Sequence, residues 1–296
     1  MAILTGINSN LSGSAGNWTY SRQGNVTIAK QKVSKKKVPV RTYEQMLRRV
    51  QWSNLVNFYR CFEGNLHPSF ERRPWGVSDF NEFISANIGV VPVYLTRDQA
   101  RQGGAVVAPY QVTRGSLPSV SLDETMAGSS NVFISNIALG SLGLDATTTV
   151  KAFSDAVVAA NPDFENGDQI TCFIARQTVN SENQTPYVHI DAYELTLDQA
   201  DGSTKVWDVV TAAGFTAHDG FLGMAQPVNG GVAYIHSRKQ QGRTLVSTQR
   251  MECSNSQLAT FQTAAQRSEA IVSYGGVLRA DYLTPNDENI AATTNP

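Results

Sequence analysis

A chain of 296 residues, 41% hydrophobic and 17% charged, is long enough to bury a sizeable core as one large domain or two medium ones. No stretch approaches the roughly 20 apolar residues of a membrane-crossing helix, and the N-terminus lacks the uninterrupted apolar run of a secretory signal. Cys61, Cys172 and Cys253 form no CxxC pair, which argues against a disulfide framework or zinc knuckle and for synthesis in a reducing cytoplasm. The sequons at Asn17 and Asn25 are then without meaning.

The net charge of −1 hides an asymmetry. Residues 1–60 hold ten basic residues and one acid, Glu44; the remainder holds 14 basic and 24 acidic residues, a balance of −10. A basic segment joined to an acidic body can meet nucleic acid or the acidic body of a neighbouring copy. The plainer alternative is a solvated run that keeps the chain in solution.

In chain order, the opening is punctuated by Gly6 and by Ser12-Gly13-Ser14-Ala15-Gly16-Asn17. It lacks the Gly-Lys-Ser/Thr ending of a phosphate loop, and its glycines permit close backbone approach to another chain. Residues 17–33 predict a hairpin: Asn17–Tyr20 and Val26–Ala29 are strand formers, and Gln23-Gly24-Asn25 supplies the turn. A lone hairpin is marginal in water. The lysines Lys35, Lys36 and Lys37 and then Pro39 extend the chain rather than folding it.

Thr42-x-x-Gln45 reads as a capping box that starts a helix. Leu47, Val50, Leu55, Phe58 and Phe62 follow at steps of three and four and predict its intramolecular face, while Gly64 and Pro68 provide the stop. Trp52, Val56 and Tyr59 fall on another side, expected to meet a neighbouring subunit. A second helix is predicted over 79–87, after Ser78 and before Gly89.

From about residue 90 short β-branched and aromatic runs recur between turn residues: Gly89–Leu95, Gly104–Val112, Asn131–Ile137, Gln169–Thr178, Tyr187–Leu195, Lys205–Val210, Gly231–Ser237 and Thr244–Cys253. Helices are expected at Thr147–Ala160 and Ser256–Ala270, and the tail Thr284–Pro296 is expected to fray. The fold class is therefore mainly β, an antiparallel sandwich or barrel with an N-terminal arm and a few helices. The expected divisions are an arm and basic hairpin (1–38), a helical collar (39–89), a β-rich domain (90–283) and a flexible tail (284–296).

Chemistry is sparse. The histidines are His67, His189, His218 and His236; the pairs His189/Asp191 and His218/Asp219 lack a third ligand at recognisable spacing. No serine elbow or Cys/His pair is present, and Asp123-Glu124 reads as solvated. The expectation is a non-enzyme without metal or cofactor.

The Gly/Ser-rich start, the basic hairpin, "VRTYEQMLRRVQWSNLVNFYRCF" at 40–62, "SDFNEFISAN" at 78–87 and "RTLVSTQRM" at 243–251 together resemble an uncharacterised family of Bacteroidota and their phages. That family includes virion proteins of crAss-like phages. The resemblance covers the first 90 residues well and the β region loosely. It implies a largely β fold and carries no catalytic residues. The expected function is a structural virion protein, made in the host cytoplasm, whose arm docks on a neighbouring copy in a neck or tail ring. Trp18, Tyr20, Lys35, Lys36, Lys37, Trp52, Val56 and Tyr59 are the expected interface. The alternatives are a capsid-associated position, nucleic-acid binding through residues 30–49, and carbohydrate binding through Trp75 or Trp207.

Overall fold

The computed structural model describes residues 2–4, 12–23, 26–32, 42–62, 65, 69–71, 76–127 and 130–275. The chain divides into two compact units, Met1–Arg41 with Arg73–Ser78, and Thr42–Arg72 with Asp79–Pro296.

The first unit holds four short strands: β1 (Ala2–Leu4), β2 (Gly13–Ala15), β3 (Trp18–Gln23) and β4 (Val26–Gln31). They form an antiparallel sheet in the order β1-β4-β3-β2. The β3–β4 pair is the predicted hairpin, with Trp18 opposite Gln31 and Tyr20 opposite Ala29. Strand β2 doubles back onto β3 through a two-residue turn in which Gly16 has φ +55°, the left-handed region that favours glycine. Gly16 thus serves a turn within a sheet, where the sequence suggests close backbone approach to another chain; Gly6 lies outside the described residues.

The second unit begins with α1 (Tyr43–Phe62). Its capping box is in place: the Gln45 amide donates to Thr42 Oγ1 at 3.3 Å, and the Thr42 amide donates to Gln45 Oε1 at 3.4 Å. Next come α2 (Asp79–Asn87), α3 (Arg97–Arg101), β5 (Gln111–Thr113), β6 (Leu122–Ala127), β7 (Ser130–Ala138), α4 (Val150–Ala160), β8 (Gln169–Val179) and β9 (Pro186–Thr196). The remaining elements are α5 (Val206–Val209), β10 (Thr216–His218), β11 (Phe221–Gly223), β12 (Gly230–Gln240), β13 (Arg243–Val246), β14 (Gln249–Arg250), β15 (Glu252–Ser254) and α6 (Ala264–Gly275). The described strands outnumber the helices and pair antiparallel, so the fold is mainly β.

The central sheet runs β13-β12-β8-β9, with β15 also on β12. Side chains alternate across a strand, and both faces of this sheet are buried. Phe173 and Ala175 of β8 and Ala233 and Ile235 of β12 pack with Leu55, Phe58 and Phe62 of α1 and Phe83 of α2. Ile170, Cys172 and Ile174 of β8 and Val232 and Tyr234 of β12 pack with Phe153 and Val157 of α4 and with Phe133 and Ile137 of β7. A third cluster joins Tyr43, Met46 and Val50 of α1 to Tyr94, Ala270 and Ile271. The helices of residues 43–87 therefore share their core with the sheets.

Four expected strands differ. Lys205–Val210 contains the one-turn helix α5, because Val206 and Val210, four apart, both turn into the α4-side core. Gly89–Leu95, of which only Val93, Tyr94 and Leu95 are buried, and most of the largely buried Gly104–Val112 join no ladder. Side-chain amides take the place of strand partners: Gln177 Oε1 accepts the Val107 amide at 2.7 Å, Asn255 Nδ2 donates to the Val107 carbonyl at 2.8 Å, and Asn57 Nδ2 donates to the Gly104 carbonyl at 2.9 Å. Thr244–Cys253 breaks into β13, β14 and β15, which pair with β12, β5 and β12 respectively. In the Ser256–Ala270 region a 3-10 turn at Thr260–Gln262 precedes α6, which starts at Ala264. The tail from 284 lies outside the described residues.

Candidate assembly surfaces

On the N-terminal sheet, cross-strand pairing places Trp18, Tyr20 and Arg22 on the same face as Gln31, Ala29 and Thr27. Trp18 is 46% exposed. Tyr20 is half-buried, and Arg22, Lys30 and Lys32 are exposed. Thr27 and Ala29 are the buried side chains among the described residues here, and neither belongs to an apolar cluster. Lys35, Lys36 and Lys37 lie outside the described residues, as do His67 and Trp75.

Helix α1 presents two sides. Val50, Leu55, Phe58 and Phe62 are buried, and Leu47 is half-buried against α6. Trp52 is 46% exposed and meets Phe80 of α2 edge-on, with ring centres 6.1 Å apart. Tyr59 meets the same Phe80 at 5.2 Å and Phe83 at 5.4 Å, and Val56 is half-buried beside them. Part of this second side is thus covered by α2 of the same chain, and the exposed remainder centres on Trp52. Arg48, Arg49 and Arg60 are exposed along it. Among the described residues no carboxylate pairs with any of the three.

The other candidates sort by burial. His189 Nε2 lies 3.1 Å from Asp191, which also pairs with Arg176. His218 Nε2 lies 2.5 Å from the Met224 carbonyl oxygen, and Asp219 sits in the β10–β11 turn with φ +48°. Among the described residues no group of three His, Cys, Asp or Glu side chains is arranged to hold a metal ion. Trp207 is half-buried and donates its indole N–H to the Phe215 carbonyl at 2.9 Å, so it is not an open platform for a sugar ring. Burial pushes the thiols of Cys172 and Cys253 up to about 12, so neither is a thiolate at neutral pH.

A buried polar cluster absent from the sequence reading lies at the α4 side of the central sheet. Asp168 and His236 are each 1% exposed, with His236 Nε2 at 2.8 Å from Asp168 Oδ2. Arg238 clasps both carboxylate oxygens at 2.7 Å and reaches Glu165 at 2.8 Å. Burial alone would raise the Asp168 carboxyl; hydrogen bonds from Arg238, His236 and the Glu165 amide outweigh it and hold the group at about 2. Phe164 stacks on the His236 ring at 4.1 Å. Among the described residues His236 Nδ1 has no hydrogen-bond partner. Asp168 and His236 are sealed from solvent while Arg238 and Glu165 reach the surface, and together they tie β12 to the segment entering β8, which is a structural task. Its one local signal was the His236-x-Arg238 spacing, which puts two possible cations on one side of a strand.

The opposite face of the same sheet holds a half-open pocket of about 200 Å³, lined by polar Gln169, Thr171, Glu194 and Lys239 and by apolar Phe173, Ile235 and Val246. Among the described residues no helix is long and apolar enough to cross a membrane. No protein-family model matches the chain, and neither a curated protein nor a solved structure matches it.

Proposed function

We propose that this chain is a structural virion protein of a bacteriophage, a non-enzyme that assembles through its N-terminal segment into a neck or tail ring. One observation carries the reading: the N-terminal segment is a compact unit of four short strands whose described buried side chains are only a threonine and an alanine. Its largest described side chain, Trp18, is left 46% exposed. Small sheets need an apolar face packed on something to be stable. A neighbouring copy can supply that surface, with strand edges or a groove completing what the segment lacks. The exposed cations Arg22, Lys30 and Lys32 are opposite in sign to residues 61–296, which balance at −10, so attraction between copies favours the encounter. The resemblance to crAss-like virion proteins points the same way.

The same cations, with Trp18 among them, favour nucleic-acid binding as a second reading. Light scattering of the purified chain with and without DNA separates the two. The assembly reading expects oligomers without DNA, converted to folded monomers on deletion of residues 1–38. Tight, steeply salt-dependent DNA binding by a chain that stays monomeric would replace it with the nucleic-acid reading.

A further inference from the structure

The second unit carries opposite charge on the two outer layers of its central sheet. One layer is the exposed side of α1, where Arg48, Arg49 and Arg60 flank the half-exposed Trp52. The other covers the opposite sheet face and is built from α4, residues 198–205 and α5. These pieces are one surface: the Asp198 amide donates to Ser154 Oγ at 2.9 Å, Gln199 Nε2 donates to Asp155 at 3.0 Å, and the Lys151 amide donates to the Asp201 carbonyl at 2.8 Å. It presents Asp155, Asp198, Asp201 and Asp208, with Val209 51% exposed beside them. Lys151, paired with Asp155 at 2.7 Å, and Lys205 offset only part of that charge. Residues 141–210 as a whole hold 11 acidic and 3 basic side chains.

We infer that these two faces are the halves of one contact, in which the α1 side of one copy seats the α4–α5 side of a second copy of this chain, head to tail. The inference rests on the assembly reading and adds a contact separate from the N-terminal segment. Each half offers an exposed apolar residue ringed by charge, the pattern of an interface with an apolar centre and a polar rim. The two faces are opposite in net charge, so α1 against α1 and α4 against α4 are disfavoured. The contact is therefore heterologous, and it closes into a ring wherever the rotation between successive copies permits. A nucleic acid would satisfy the α1 side alone; a second copy satisfies both.

The test uses two full-length variants, Arg48→Glu/Arg49→Glu and Asp155→Lys/Asp208→Lys, in low-salt light scattering with melting curves as a folding check. Each alone is expected to self-associate about tenfold or more weakly than wild type, as when like charges are placed across an interface. Mixed in equal amounts, the two are expected to recover association, because the reversed α1 side of one fits the reversed α4–α5 side of the other. Wild-type association by either variant overturns the inference. So does a mixture that stays dissociated while both variants melt like wild type, or an arginine variant that loses DNA binding and keeps its oligomer. If the chain lacking residues 1–38 still assembles through this contact, the role given to the N-terminal segment fails and the contact stands. If that deletion alone abolishes assembly while both charge variants assemble normally, the contact fails and that role stands.

Discussion

Asp168 is the residue whose removal is expected to cost most at a single polar position. Deleting one partner of a buried, hydrogen-bonded ion pair leaves the other charge uncompensated, typically at about 3–5 kcal/mol. Asp168→Ala takes the carboxylate from His236 and leaves Arg238 only the exposed Glu165. The pH dependence follows from the direction of the shift. The folded carboxyl is held at about 2, below its ordinary value of 3.8, so its contribution is complete above the unfolded value and is lost as pH falls from about 4 through 2. Thermal melts between pH 7 and pH 2.5 are expected to show the wild type losing stability in that window, with a flatter profile for Asp168→Asn. Equal slopes for both proteins would show that other carboxylates govern acid unfolding. The cluster was illegible in sequence because Asp168, just before β8, and Arg238 of β12 lie 70 positions apart, and only pairing of β8 with β12 brings them together. Glycine positions are as sharp: a Cβ at Gly230 would overlap the Ala175 carbonyl of the neighbouring strand, so Gly230→Ala is expected to lower the melting temperature although it adds one carbon.

At the scale of the element, α1 is where local sequence and tertiary structure agree. Its cap and period were readable, because a helix is specified by neighbours three and four apart, while Gly64 and Pro68 of the expected stop lie outside the described residues. Its two sides are expected to fail differently. Phe58 is fully buried between Phe62, Phe83 and Tyr110, so Phe58→Ala is expected to destabilise the isolated protein by about 3–5 kcal/mol. Trp52→Ala removes one edge-on contact with Phe80 and is expected to leave the melting temperature nearly unchanged while weakening association. Comparable melting losses for the two would place Trp52 in the core of its own chain. Removing the cap, Thr42→Ala, is expected to cost about 1 kcal/mol in the same melts. Residues 104–110 were not legible in this way. Their β-branched composition is that of a strand, yet amides from Asn57, Gln177 and Asn255 hold the backbone, and no local pattern announces partners so far along the chain. The side of α1 bearing Trp52, Val56 and Tyr59 could be read from helical period alone. Its acidic counterpart could not, since α4 and α5 lie more than 40 residues apart.

For the whole molecule, the division into two units gives the truncation its meaning. Removal of residues 1–38 is expected to leave the circular dichroism and cooperative melting of the larger unit intact, because the three apolar clusters draw none of the described residues of that segment. A non-cooperative melt would show that the segment belongs to the core. Within the larger unit the sheet imposes a different constraint. Successive residues of β8 and β12 serve alternate cores, with Phe173 and Ala233 on one side and Cys172 and Tyr234 on the other. Neither core can open without exposing backbone that the other holds. Amide hydrogens of β8 and β12 should therefore exchange with deuterium only through global opening and form the slowest set in the molecule, while those of α3 and α5 exchange through local fluctuations. The slowest amides on the two sides of the sheet should also share one protection free energy.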